Sequence, residues 1–245
     1  MTWPVLRPPY DEALEQAVEY VRDRFAPIGV IAAGTVVRGV PDDASDLDLV
    51  VIHTSPYRQR LQRRFSGVPA EIFVQPPSEA RATMEREYAS GRPVLAHMIA
   101  TGRVLFRAHA DVDALVARAH ELLAQGPLHD EAQLRQLRYA AATRYEDAED
   151  RAHSDPATAR LILVQAVADM LRFHVVAAGT FVPRDKDLLA GVDMIDPETA
   201  ALSRRLLRSA SLDEQRELAR RLADRTIGVR GFFEWESDPE EGPRA

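Results

Sequence analysis

The 245-residue chain contains no cysteine and almost no lysine. Without thiols it can form neither a disulfide nor a thiolate metal site, so any bound metal must rest on oxygen or imidazole ligands. Arginine supplies nearly all of the 31 basic residues, and the single lysine is Lys186. A lone ammonium in an arginine background is consistent either with a position that needs a compact cation or with chance.

Long apolar runs are also missing. The hydrophobic stretches are short and interrupted by charge, so we expect no transmembrane helix and no membrane partner. The first residues lack the basic start, apolar centre and cleavage site of a signal peptide, and we therefore expect a cytoplasmic location. The formal net charge of −7 argues against nucleic-acid binding, which usually needs a basic surface, but it would suit a cationic small substrate.

The spacing of apolar residues divides the chain into two parts. Strand-like segments at 28–33, 47–53, 70–75 and 103–106, the last expected at a sheet edge, alternate with helical patterns at 11–26, 78–90 and 93–101. Only helical patterns follow, at 111–124, 130–153, 156–178, 197–209 and 212–235. We therefore predict an α+β fold, with a small mixed-sheet domain over 1–107, an all-helical bundle over 108–235 and a disordered tail over 236–245.

One segment carries several chemical signals at once. The first predicted strand ends at Gly34, where the absence of a side chain lets a ligand approach the backbone closely. Thr35 adds a hydroxyl beside backbone N–H groups, an arrangement suited to phosphate oxygens. Asp46 and Asp48 open the next strand and are expected on one face of it. Because paired carboxylates repel unless a cation joins them, this pattern predicts a site for Mg²⁺ and phosphate.

A third acid lies on the following predicted strand. Glu71 stands among apolar neighbours, and alone it would be interpreted as one solvent-facing residue of an edge strand. Beside Asp46 and Asp48 it gains a second interpretation, because two-metal phosphoryl transfer needs further carboxylate ligands. Glu71 could also accept the proton of an attacking hydroxyl. The alternative for the aspartates is an ordinary turn, since Asp often precedes strands.

These residues together resemble the DNA polymerase β nucleotidyltransferase superfamily. The shared pattern is a hydrophobic strand, Gly34-Thr35 in place of Gly-Ser, a loop, Asp46 and Asp48 between apolar residues, and an acid on a later strand, here Glu71. The resemblance covers residues 10–107 best. The helical part that follows is similar to that of aminoglycoside nucleotidyltransferases of the kanamycin and streptomycin/spectinomycin types.

The resemblance implies transfer of a nucleoside monophosphate from a nucleoside triphosphate, expected to be ATP, to a hydroxyl of a small acceptor such as an aminoglycoside, as in antibiotic resistance. It also implies two Mg²⁺ ions. Asp46 and Asp48 would bind both ions, and Glu71 would complete one site. The phosphate-binding residues it implies are Gly34, Thr35, Ser45 and Lys186.

The sequence leaves the general base and the competing functions open. Glu146, Asp147 and Asp150 share a face of a predicted helix and are consistent with an acidic wall for a cationic acceptor, a source of the base, or a solvated surface. A protein-modifying nucleotidyltransferase of the antitoxin type and a non-catalytic nucleotide-binding module are the competing functions. No P-loop or G-x-S-x-G pattern occurs. The oligomeric state is not indicated.

Overall fold

The computed structural model describes residues 3–41, 45–128, 131–237 and 239. The chain forms two compact units, Met1–Gly126 and Pro127–Ala245. The first unit contains the strands and the second is helical. In the first unit the elements are, in order, α1 Tyr10–Phe25, β1 Gly29–Ala33, α2 Gly34–Val37, β2 Leu47–Ile52, β3 Gln59–Phe65, β4 Val68–Gln75, α3 Pro77–Ala89, α4 Val94–Thr101, β5 Arg103–Arg107 and α5 Ala110–Gln125.

The strands form one five-stranded sheet in the order β3-β4-β2-β1-β5. β1 pairs antiparallel with β2 and β5, β4 pairs antiparallel with β3, and β2 pairs parallel with β4. The predicted mixed sheet is therefore confirmed, and β5 lies at an edge as expected. β3 occupies the other edge, on a polar segment where the sequence pattern predicts no strand.

Alternation along the strands gives the sheet two different faces. Leu47, Leu49, Ala70 and Ile72 belong to the apolar core that packs against α1. Residues between them in the sequence must point to the opposite face. Part of that face is covered by helix, since α4 packs on β1. The remainder, at the start of β2 and along β4, carries polar side chains.

Helix α5 belongs to the first unit, which corrects the predicted boundary at residue 107 to Gly126. It packs against α3 and α4. Arg118 of α5 donates from Nε and Nη2 to the two carboxylate oxygens of Glu85 on α3, at 2.7 and 3.0 Å. These bonds lower the pKa of Glu85. The helical periodicity at 111–124 was consistent with either unit, because period alone does not say what a helix packs on.

The second unit is a helical bundle around one core. One predicted bound is wrong, because the final helix ends at Thr226 rather than at 235. One helix was not predicted, and it lies between Gly179 and Pro197. Residues 238 and 240–245 of the predicted tail lie outside the described residues. None of the helices in the described part of the chain combines the length and apolar content that crossing a membrane requires. The helices are α6 Glu131–Arg151, α7 Pro156–Ala177, α8 Leu188–Ile195, α9 Pro197–Arg208 and α10 Leu212–Thr226.

Asp196 anchors the start of α9. Its carboxylate accepts the backbone N–H groups of Glu198 and Thr199, each at 3.1 Å, and the Thr199 hydroxyl at 2.6 Å. Arg225 of α10 donates to both carboxylate oxygens at 3.1 and 2.9 Å. The Thr199 hydroxyl, followed by its backbone N–H and Arg225, holds the pKa of Asp196 well below its ordinary value. One carboxylate therefore caps a helix and joins two helices of the bundle.

Candidate active site

Gly34 and Asp48 lie in close contact at the end of β1. The antiparallel register pairs Ala33 with Asp48, so the chain leaves the sheet directly beside this carboxylate. Gly34 has a positive φ of 86°, which favours glycine. A Cβ at this position would lie 2.6 Å from Oδ2 of Asp48. Glycine is thus required both by the backbone turn and by the carboxylate that rests against it.

The hydroxyls of Thr35 and Ser45 join the two ends of the loop that follows. Their oxygens are 3.1 Å apart, in a hydrogen bond that either can donate. Thr35 lies in the single turn of α2, and its carbonyl accepts the N–H of Val40 at 3.0 Å. Ser45 is buried. The structure therefore brings together the residues for which the sequence predicts phosphate contacts in the first unit, namely Gly34, Thr35 and Ser45.

The acids of the predicted metal site occupy two neighbouring strands. Asp48 is on β2, between the core residues Leu47 and Leu49, as the alternation predicts. Glu71 on β4 is its partner in the parallel register, so their Cα atoms are on strands about 4.8 Å apart. Asp46 precedes the first residue of β2 and is exposed. The two strands thus present Asp48 and Glu71 side by side on the face opposite α1.

Glu71 is held by side chains of the unpredicted strand β3. Arg60 reaches its Oε1 with Nε at 2.7 Å and Nη2 at 2.5 Å. Gln62, its partner in the antiparallel register, donates to the same oxygen at 3.0 Å. Arg60 also lies over the ring of Phe73, 4.9 Å from the centroid. Arg60 and Gln62 were not predicted as site residues, and their alternation with Leu61 on a polar strand was the signal that could have indicated them.

The acids of this site are of the kind that binds Mg²⁺, and the three-acid arrangement stays a prediction. Mg²⁺ is commonly bound through one or two carboxylates together with waters and substrate phosphates. Asp46 and Asp48 supply such donors, and the missing side chain at Gly34 lets the Asp48 carboxylate rest against the backbone. Glu71 is turned toward β3. Among the described residues, no group of three or more His, Asp or Glu side chains is arranged to hold a metal.

A small cavity lies on the same side of the sheet as Glu71. Its volume is about 160 Å³, and Arg60 and Phe73 contribute to its wall. Glu87 of α3 also lines it, with Oε2 accepting the N–H of Leu95 at 2.6 Å. Burial raises the pKa of Glu87, against the opposing effect of the bond from Leu95. The cavity thus combines one carboxyl of raised pKa with a wall of both polar and apolar side chains.

Lys186 lies in the second unit, in the turn of 3-10 helix Asp185–Asp187, and is exposed. Its predicted contact with the nucleotide phosphates stays a prediction, since the remaining site residues belong to the first unit. Glu146, Asp147 and Asp150 are exposed on α6. Their neighbour Glu149 instead accepts two hydrogen bonds from Arg216 of α10, at 3.1 and 2.8 Å.

The fold resembles that of a known nucleotidyltransferase-like structure. The sequence matches no family model, and no curated protein is similar to it. Among solved structures, the crystal structure of a nucleotidyltransferase-like protein from Exiguobacterium sibiricum is similar, with a TM-score of 0.52 and 17% sequence identity. The match covers 88% of this chain and 75% of that chain. The chain therefore has a nucleotidyltransferase-like α+β fold with a helical part, which confirms the predicted fold class.

Proposed function

We propose that the chain is a Mg²⁺-dependent nucleotidyltransferase that moves a nucleoside monophosphate from ATP, or another nucleoside triphosphate, to a hydroxyl of a small acceptor. The observation that supports this most directly is the contact between Gly34 and Asp48 at the end of β1, beside Glu71 on the next strand. A carboxylate that rests against bare backbone, next to the hydroxyls of Thr35 and Ser45, suits a metal-bound triphosphate. We propose the cytoplasm as its location.

The proposed reaction forms one bond and breaks one. The acceptor oxygen bonds to the α-phosphorus, the bond from that phosphorus to the bridging oxygen breaks, and pyrophosphate leaves. The hydroxyl proton passes to a base, for which Glu71 and the acids of the second unit are candidates. Mg²⁺ bound by Asp46 and Asp48 would neutralise phosphate charge. Thr35 and Ser45 would orient the β- and γ-phosphates, with Lys186 as a further proposed contact.

The proposal is tested with α-labelled ATP, Mg²⁺ and a panel of aminoglycosides and other hydroxylated small molecules. We expect pyrophosphate release and a label on one small acceptor. Asp48→Asn should abolish the pyrophosphate release, the labelling of the acceptor and the Mg²⁺-dependent binding of nucleotide. The variant should stay folded, because the substitution relieves repulsion between neighbouring acids. Asp23→Asn is the matched control, since Asp23 is an exposed residue of α1. Binding by Asp48→Asn equal to wild type would refute the metal site.

The same experiment separates the competing functions. A label found on a protein instead of a small molecule would support the protein-modifying alternative. Nucleotide binding without pyrophosphate release from any acceptor would support a non-catalytic module. An aminoglycoside as acceptor is the narrowest form of the proposal, and expression of the chain in a sensitive bacterium should then raise the inhibitory antibiotic concentration. If no aminoglycoside is labelled and the inhibitory concentration does not rise, aminoglycosides are excluded as acceptors and the other hydroxylated small molecules remain.

A further inference from the structure

Arg60 donates to the carboxylate of Glu71, the acid that would complete a second metal site in the three-acid arrangement. Both Nε and Nη2 of Arg60 reach Oε1 of Glu71, at 2.7 and 2.5 Å. Gln62 adds a third N–H to the same oxygen. The Glu71 side chain is only 16% exposed, whereas that of Arg60 is 64% exposed. A nearly buried carboxylate is therefore compensated by a cation that the chain itself supplies.

The position of Arg60 is set by the sheet as well as by the ion pair. The antiparallel register places Arg60 opposite Phe73 and Gln62 opposite Glu71. Residues 60, 62, 71 and 73 thus share the face opposite α1. The Arg60 guanidinium rests 4.9 Å from the Phe73 ring centroid, an attractive cation–π geometry. Strand pairing, aromatic contact and ion pair all direct the guanidinium toward Glu71.

The contacts of Glu71 limit which acids can hold a second divalent ion. Arg60 and Gln62 both donate to Oε1 of Glu71, and no group of three or more acids or histidines among the described residues is arranged to hold a metal, so a second ion would lack its third carboxylate. We propose that Arg60 replaces the second metal, and that the chain binds a nucleoside triphosphate together with one Mg²⁺ ion rather than two. This inference rests on the proposed function, because it concerns the metal content of the same site.

Metal stoichiometry tests the inference without any turnover. Mn²⁺, used in place of Mg²⁺, is titrated by electron paramagnetic resonance into the full chain with saturating α,β-methylene ATP, which lacks the cleavable bridging oxygen. We expect one Mn²⁺ per bound nucleotide for wild type and two for Arg60→Met, because the variant leaves Glu71 without its cation. Arg60→Met with Glu71→Gln should return the count to one.

Arg64→Met is the matched control. Arg64 lies on the same strand and face as Arg60, but its guanidinium donates to the carbonyl of Gly67 at 2.9 Å. The Arg64→Met variant should bind one Mn²⁺ per nucleotide, like wild type. Two ions in the wild-type complex, or one ion in folded Arg60→Met, would overturn the inference. No nucleotide binding by wild type at any Mn²⁺ concentration would instead refute the proposed function, and circular dichroism identifies any variant that fails to fold.

Discussion

Replacing Gly34 by alanine tests whether the contact between the backbone and Asp48 organises the site. Two effects are expected. The positive φ of 86° costs an L-residue about 1–2 kcal/mol. In addition, the new Cβ would lie 2.6 Å from Oδ2 of Asp48, where ordinary contact begins at 3.4 Å, so the oxygen must move by about 0.8 Å. Misplacement of about 1 Å can reduce a rate about 10²-fold.

Gly67→Ala separates the cost of a positive φ from the cost of the clash with Asp48. Gly67 has a φ of 81°, and a Cβ there would have nothing within 4 Å. Both variants should lose about 1–2 kcal/mol of unfolding free energy in urea, measured by circular dichroism. Only Gly34→Ala should lose affinity for Mg²⁺ and α,β-methylene ATP in calorimetry, and its rate of pyrophosphate release should fall by about 10²-fold. Equal affinities for the two variants would show that the close contact does not position Asp48 for binding.

Three further predictions concern single contacts. Thr35→Val, which breaks the hydroxyl pair of the loop, should cost about 1 kcal/mol and weaken nucleotide binding in calorimetry, whereas Thr35→Ser should not. Gly102→Ala should cost about 1–3 kcal/mol in urea unfolding, because its Cβ would lie 2.5 Å from the backbone oxygen of Met98; unchanged stability would contradict that packing. Asp196→Asn should lower the free energy of unfolding by about 1 kcal/mol at neutral pH, because it weakens the ion pair with Arg225. Since the pKa of Asp196 is lowered, that loss should shrink as the pH falls below about 4 in pH-dependent unfolding.

The site could be predicted where periodicity and chemistry agree. Leu47 and Leu49 lie on the buried face of β2, and the alternation of side chains therefore places Asp48 on the opposite face of the strand. Glu71 was expected on the next strand because its apolar neighbours define one. That the two acids are register partners depends on the parallel pairing of β2 with β4. Sequence alone does not determine this pairing, because β3 lies between them in the chain.

The missed elements lack the apolar periodicity on which the predictions depend. In β3, only Leu61 and Phe65 are apolar, since an edge strand with one polar face needs few buried side chains. In α8, Gly191 weakens the helical pattern. The structure explains its presence, because a Cβ there would lie 2.8 Å from Cγ of Pro183. The surroundings of Glu71 could not be predicted without β3.

The arginines of the two edge strands have a consequence for self-association. An exposed strand edge offers unpaired backbone groups to another molecule, and charged side chains oppose such pairing. β3 carries exposed Arg60, Arg63 and Arg64, and β5 carries exposed Arg103 and Arg107. If one of these arginines is engaged elsewhere, the remaining ones still oppose pairing of the edge with a second sheet. An edge strand can therefore commit one arginine, such as Arg60, to an ion pair on the sheet face while the rest still discourage aggregation along that edge.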